Sequence, residues 1–216
     1  DKCSPASRQT GRVIVVEGYM DVIALAQAGF ADTVAPLGTA LTEQQIHMLW
    51  RMTEKPLLCF DGDSAGQKAS MRAALRALPL LKPGHSLQFV TLPEGQDPDD
   101  IVKSSGATAL TKLLEASQPL VERLWGAEVA SGPLDMPEDR AGLKQRLGAH
   151  TANIADGEIR RHYADAFRER FDNLFVQRRT TPPARPGPFV RGQNRDWRKP
   201  QILPPGTETK SFNAKG

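Results

Sequence analysis

The chain has 216 residues and a mass of 23.6 kDa, enough for one sizeable core or two small ones. Its 39% hydrophobic and 25% charged residues fit a globular body, and no run of about 18 apolar residues offers a membrane-spanning helix. The net charge of +3 is uneven: residues 1–175 hold 19 Lys and Arg against 23 Asp and Glu, residues 176–216 hold 9 against 2, so the basic character belongs to the tail and is no evidence that the body binds nucleic acid.

Residues 1–11 read as a disordered or truncated N-terminal segment. Asp1-Lys2-Cys3-Ser4-Pro5 has no apolar h-region, so no secretory signal is expected and the chain reads as a piece of a longer protein. Val13-Ile14-Val15-Val16 is a β-branched run suited to a strand buried on both faces. It ends at Glu17-Gly18, and a short helix over Asp21 to Ala28 stops at Gly29. Thr33-Val34-Ala35 is a second strand, ending before Pro36 and Gly38. Thr42 and Gln45 form a capping box for a helix with Ile46, Leu49 and Trp50 inward. Leu57-Leu58-Cys59-Phe60 is a third strand, closed by Asp61-Gly62-Asp63 and followed by a helix over Ala65 to Leu78. Leu87 to Leu92 is a fourth, running into Pro93-Glu94-Gly95-Gln96-Asp97-Pro98-Asp99-Asp100. Such alternation predicts a mainly parallel sheet flanked by helices over residues 12–104.

Beyond Ile101 no further strand is predicted. Leu110, Leu113 and Leu114 mark one helix; Leu120, Val121 and Leu124 mark a second, entered through Pro119. Pro137 opens a third, with Leu143, Leu147 and Ile154 inward, and a fourth runs from Gly157 to about Val176. Residues 105–176 form an all-helical subdomain on this reading. Residues 177–216, with 7 of the 17 prolines, are a disordered Pro/Arg-rich tail. A solvated tether is the simpler role for it. The other is contact with nucleic acid through Arg178, Arg179, Arg191, Arg195 and Arg198, with Trp197 stacking on a base.

Three strands end in acid: Glu17, with Asp21 a turn later; Asp61 and Asp63; Asp97 and Asp99. Ligands of an open parallel sheet bind at its carboxyl edge, where neighbouring strands lie about 4.8 Å apart. Like charges gathered there require protons or a cation, and an all-oxygen set suits Mg²⁺ or Mn²⁺. Gly18, Gly38, Gly62 and Gly66 sit on the same edge, where glycine permits close backbone approach and positive φ. Taken singly, each motif has a plain alternative: Asp63 as a helix N-cap, Glu17 as a solvated acid, Asp97 to Asp100 as a helix start. An EF-hand fails because Ala65 and Arg72 stand at its fifth and twelfth positions. A haloacid-dehalogenase-type phosphatase also carries Asp-x-Asp after a strand but leaves Glu17 unexplained. His47, His85, His150 and His162 show no metal-ligand spacing, and Lys68 and Arg72, on the helix after the Asp-Gly-Asp turn, read as solvated in preference to phosphate contacts. Two cysteines, Cys3 and Cys59, cannot build a zinc site or a disulfide framework, and a reducing cytosol is the default.

These motifs resemble the TOPRIM domain of bacterial DNA primases: Val15-Val16-Glu17-Gly18-Tyr19-Met20-Asp21-Val22, Leu37-Gly38-Thr39-Ala40, Cys59-Phe60-Asp61-Gly62-Asp63-Ser64-Ala65-Gly66 and Leu92 to Asp99, in order. The resemblance covers residues 12–176 and implies a TOPRIM-type fold and metal-dependent synthesis of short RNA primers. It implies Glu17, Asp61 and Asp63 as catalytic metal-binding acids, with Asp97 and Asp99 as further ligands and Asp21 in support. It also implies a single-stranded DNA template and NTPs as substrates, and a replicative helicase as partner through a C-terminal domain. The expected protein is a cytoplasmic monomer at the replication fork. The zinc-binding module, basic lobe and helicase-binding part of the family have no counterpart in these residues, so a fragment is expected. Pro36 stands where the family often has Ser. The alternatives are another TOPRIM phosphodiester enzyme, nuclease or topoisomerase-like, and a non-catalytic metal-binding scaffold.

Overall fold

The computed structural model describes residues 3–36 and 41–180, with side chains through residue 175. Five strands, β1 (Ile14–Val15), β2 (Thr33–Val34), β3 (Leu57–Leu58), β4 (Gln88–Phe89) and β5 (Gln118–Pro119), form one sheet in the order β2-β1-β3-β4-β5. The first four are mutually parallel and β5 runs antiparallel to β4. Flanking bonds lengthen the ladder: Val16 N donates to Val34 O, Cys59 N to Val15 O and Val90 N to Leu58 O, all at 2.8–2.9 Å.

Alternation along each strand divides the core in two. Val13, Val15, Leu58, Phe60, Leu87 and Phe89 face one layer, made by α3 (Glu43–Trp50), α4 (Ser64–Ala77), α6 (Leu120–Ala130), α7 (Pro137–Ala152) and α8 (Gly157–Thr180). Ile14, Val16, Leu57, Cys59, Val90 and Leu92 face the other, made by α2 (Tyr19–Gln27) and α5 (Pro98–Glu115). Both faces are therefore covered, as the apolar runs require. The Thr42–Gln45 capping box forms, with Gln45 N donating to Thr42 Oγ1 at 3.2 Å and Thr42 N to Gln45 Oε1 at 2.8 Å.

Four expectations need correction. Residues 3–10 are not disordered: α1 (Cys3–Thr10) is a helix that buries Cys3 and Ser7. It is tied down at its end, where Thr10 Oγ1 donates to Asp32 Oδ2 at 2.9 Å; Asp32, 1% exposed, also takes Arg12 Nε at 2.8 Å. Nor do strands cease after Ile101. Gln118–Pro119 completes the sheet as an edge, where a proline with no N–H to donate is tolerated. The last helix continues through Thr180, past the expected tail start at residue 177. The boundary expected between residues 104 and 105 falls inside α5, just before Gly106, whose φ of 79° and ψ of 169° kink that helix.

Candidate functional site

The three acid-bearing loops follow β1, β3 and β4, which are adjacent in the sheet, so the order of strands gathers them at one edge. Glu17 Oε1 accepts a hydrogen bond from Asp61 N at 3.3 Å, fastening the first loop to the second. Asp21, in the first turn of α2, accepts from Gly18 N at 3.1 Å and is buried. Asp63 is the N-cap of α4, its Oδ1 taking Gly66 N at 2.8 Å. Asp97 caps α5 by accepting from Asp100 N at 2.6 Å, with Pro98 in the first turn. Asp99 pairs with Lys103 one turn on. The plain capping readings of Asp63 and Asp97 thus hold as local structure, alongside any further role.

Glycine here serves packing rather than unusual backbone angles: none of Gly18, Gly62 and Gly66 has positive φ. A Cβ on Gly62 would lie 2.0 Å from Pro93 O, and one on Gly66 2.2 Å from Asp61 O. The second loop is pressed against the third, with Gly62 N donating to Gln96 O at 2.9 Å, and α4 starts directly on the backbone of Asp61. What glycine admits at these two positions is neighbouring chain.

The charges are crowded. Burial pushes the Asp61 carboxyl up to about 6, helped by Glu17, Asp21, Asp97 and Asp63. Burial likewise raises Glu17, with Asp63 and Asp21 adding and the Asp61 amide and Arg72 opposing. Asp21 is raised by burial and by Asp97 and Asp99, against the Gly18 amide. Two carboxylate oxygens, Asp61 Oδ1 and Asp99 Oδ1, are shut from solvent with no hydrogen-bond partner among the described residues. Such acceptors fit a hard cation, which carboxylate oxygens bind without a proton. Among the described residues, however, no three of His, Cys, Asp and Glu stand close enough together to ligate one ion as placed.

Gly38 and its neighbours 37–40 lie outside the described residues, as do Arg191, Arg195, Trp197, Arg198 and the side chains of Arg178 and Arg179. Two residues at the edge carry more than their sequence context suggests. Arg72, read as solvated, exerts its charge on Glu17. Arg123 of α6 reaches Gln67 in the first turn of α4 across 56 positions, and no spacing signals that pairing.

An acid-rimmed carboxyl edge on a mainly parallel sheet with one antiparallel edge strand defines a Toprim domain, and residues 11–91 match the Toprim domain family model. The DNA primase of Rickettsia bellii is 40% identical over 181 residues, 83% of this chain and 30% of that protein. The DNA primase of Escherichia coli is 42% identical over 155 residues, 72% of this chain and 26% of that protein. Among solved structures, the E. coli primase catalytic core superposes with a TM-score of 0.69 at 35% identity, covering 76% of this chain and 54% of that one. A DnaG primase catalytic domain bound to ssDNA gives 0.68 at 35%, covering 77% and 54%. The chain belongs to the bacterial DNA primase family and corresponds to part of its catalytic core. It spans about 30% of the length of the first of these curated relatives.

Proposed function

We propose that the edge formed by Glu17, Asp61 and Asp63, with Asp97 and Asp99 beside it, holds Mg²⁺ or Mn²⁺ for nucleotidyl transfer in primer synthesis. On this reading the substrates are NTPs and a single-stranded DNA template. The whole primase acts in the cytoplasm with a replicative helicase as its partner. The site lies between residues 17 and 99, at the edge of a sheet that residues 118–119 complete. One observation carries the reading: Asp61 is held between other acids with an oxygen that none of the described residues satisfies.

When bound, a divalent ion supplies positive charge that makes the primer 3′-hydroxyl more acidic and offsets charge on the phosphate and on the departing pyrophosphate. The chain's own residues set the conditions. Burial and the surrounding acids raise the Asp61 carboxyl to about 6, so in acid solution a proton competes with a cation for its oxygens. Asp63 keeps one oxygen for Gly66 N and has the other to offer. Glu17 holds the Asp61 backbone while its second oxygen stays open. Asp99 offers Oδ1, its Oδ2 being paired with Lys103. No side-chain nucleophile is required, since the attacking oxygen belongs to the primer.

The test is Asp61→Asn and Asp63→Asn in a chain containing a complete catalytic core, assayed for primers made from NTPs on single-stranded DNA. Primer yield falls at least a hundredfold in both, with circular dichroism unchanged. Undiminished synthesis in both variants overturns the reading.

A further inference from the structure

We infer that Arg123 is a positioning residue for the Asp61–Asp63 turn, which it grips from behind through Gln67. The inference deepens the metal-site reading above and rests on it.

The grip is a chain of short contacts. Arg123 Nη2 donates to Gln67 Oε1 at 2.7 Å and to Gln67 O at 3.2 Å. Gln67 N donates to Asp63 O at 3.0 Å, and Gly66 N to Asp63 Oδ1 at 2.8 Å. Gly66 in turn lies against the Asp61 backbone closely enough that a Cβ would collide with it. A shift of the first turn of α4 therefore shifts both aspartates. On its other side the turn is fixed by Gly62 against Pro93 and Gln96. Arg123 supplies the contact that comes from α6.

The energetics argue that this arginine is not there for stability alone. It is half-buried, and burial lowers its pKa. No carboxylate is paired with it among the salt bridges of the described residues. Its Nε is shut from solvent with no acceptor among the described residues, and an unsatisfied buried donor is costly. Its neighbours Leu120 and Leu124 are fully buried, so an apolar side chain at 123 would suit the same helix. Arg123 shares a small polar cavity with Asp61, Gln67, Ser70 and Thr91. One guanidinium nitrogen, Nη2, meets both a carbonyl and an amide oxygen of one residue and fixes that residue's orientation in a way an apolar contact cannot. Groups that orient metal ligands from outside typically change metal affinity about 10–100-fold when removed.

The experiment uses the whole 216-residue chain. Mn²⁺ affinity is measured by calorimetry for the wild type, Arg123→Met, Arg123→Lys and Gln67→Ala. Leu124→Val serves as a control that loosens the same helix without touching Gln67. Amide hydrogen exchange at Gly66 and Gln67 is followed without metal. Arg123→Met weakens Mn²⁺ at least about tenfold and speeds exchange at both amides. Arg123→Lys, which keeps the charge but not the planar guanidinium or its reach, and Gln67→Ala, which keeps only the carbonyl contact, fall between it and the wild type. Leu124→Val lowers the melting temperature and leaves affinity within twofold. Should Arg123→Met fail to fold, the Lys and Ala variants decide. Affinity within twofold of wild type in the arginine variants, or an equal loss in Leu124→Val, overturns the inference. If the wild type and Asp61→Asn bind Mn²⁺ equally, the metal reading fails, and unchanged exchange at Gly66 and Gln67 in Arg123→Met then overturns the grip as well.

Discussion

Asp61→Asn should stabilise this protein in the absence of metal. Folding raises the Asp61 carboxyl from 3.8 to about 6, so the folded state favours the protonated form. The associated stability is fully present below about pH 3.8 and is lost as pH rises through about 6. Each tenfold change in acidity is worth about 1.4 kcal/mol, giving a ceiling of about 3 kcal/mol. Solvent reaches part of the residue, and screening leaves about 1–2 kcal/mol. Asparagine is never ionised and avoids that loss. At pH 8 in EDTA the variant should melt about 3–6 °C above the wild type, and the gap should close as pH falls to about 4. Saturating Mn²⁺ should reverse the order, because only the wild type gains from binding, by about 2.7 kcal/mol at a hundred times Kd. Thermal melts followed by circular dichroism across that pH range, with and without Mn²⁺, read all three results. An Asn variant that is less stable at pH 8 in EDTA, or a gap that widens on acidification, refutes the crowded-carboxylate argument.

Two glycine substitutions should separate in sign. Gly62→Ala meets Pro93 O at 2.0 Å and should cost about 2–3 kcal/mol, whereas Gly126→Ala, in α6 with open space around it, should gain about 0.5–1 kcal/mol; urea melts of both decide. Asp32→Ala removes the acceptor shared by Thr10 and Arg12, and limited proteolysis should then cut within residues 3–12 at least tenfold faster. Glu128 accepts from His150 Nε2 and Arg146 Nε at 2.6 Å each. Against the opposing effect of burial, these two partners hold its pKa below the ordinary 4.5. Its contribution is present above pH 4.5 and lost as pH drops through the lowered value, so Glu128→Gln should flatten the acid limb of the stability profile, read by melts between pH 3 and 6.

The parts of the fold that stood in plain view are those with local causes. Four apolar runs with acid or glycine after them, a Thr–Gln box before α3, a proline just before α6 and one at the first position of α7 each act within a few residues. The two elements missed have distant causes. Cys3–Thr10 is a polar octapeptide whose order comes from Asp32, and Gln118-Pro119 has little strand preference until β4 lies beside it. At the acidic edge, residue types and strand ends pick out which acid-bearing loops lie side by side. They also offer Asp63 and Asp97 as helix starts, but they do not show that Gly62 and Gly66 accommodate backbone, or that Arg123 finds Gln67. Those follow from three loops and a helix being pressed together, which no single segment records.

The antiparallel rung at Gln118–Pro119 bears on how such chains can be divided. The family match ends at residue 91, yet the outer side of β4 is completed only by residues 118–119. A piece cut between the two would present bare amide and carbonyl groups flanked by Phe89, a surface that recruits strands from other molecules. The smallest soluble version of this fold therefore extends past its own signature, to wherever that proline-bearing selvedge can be kept.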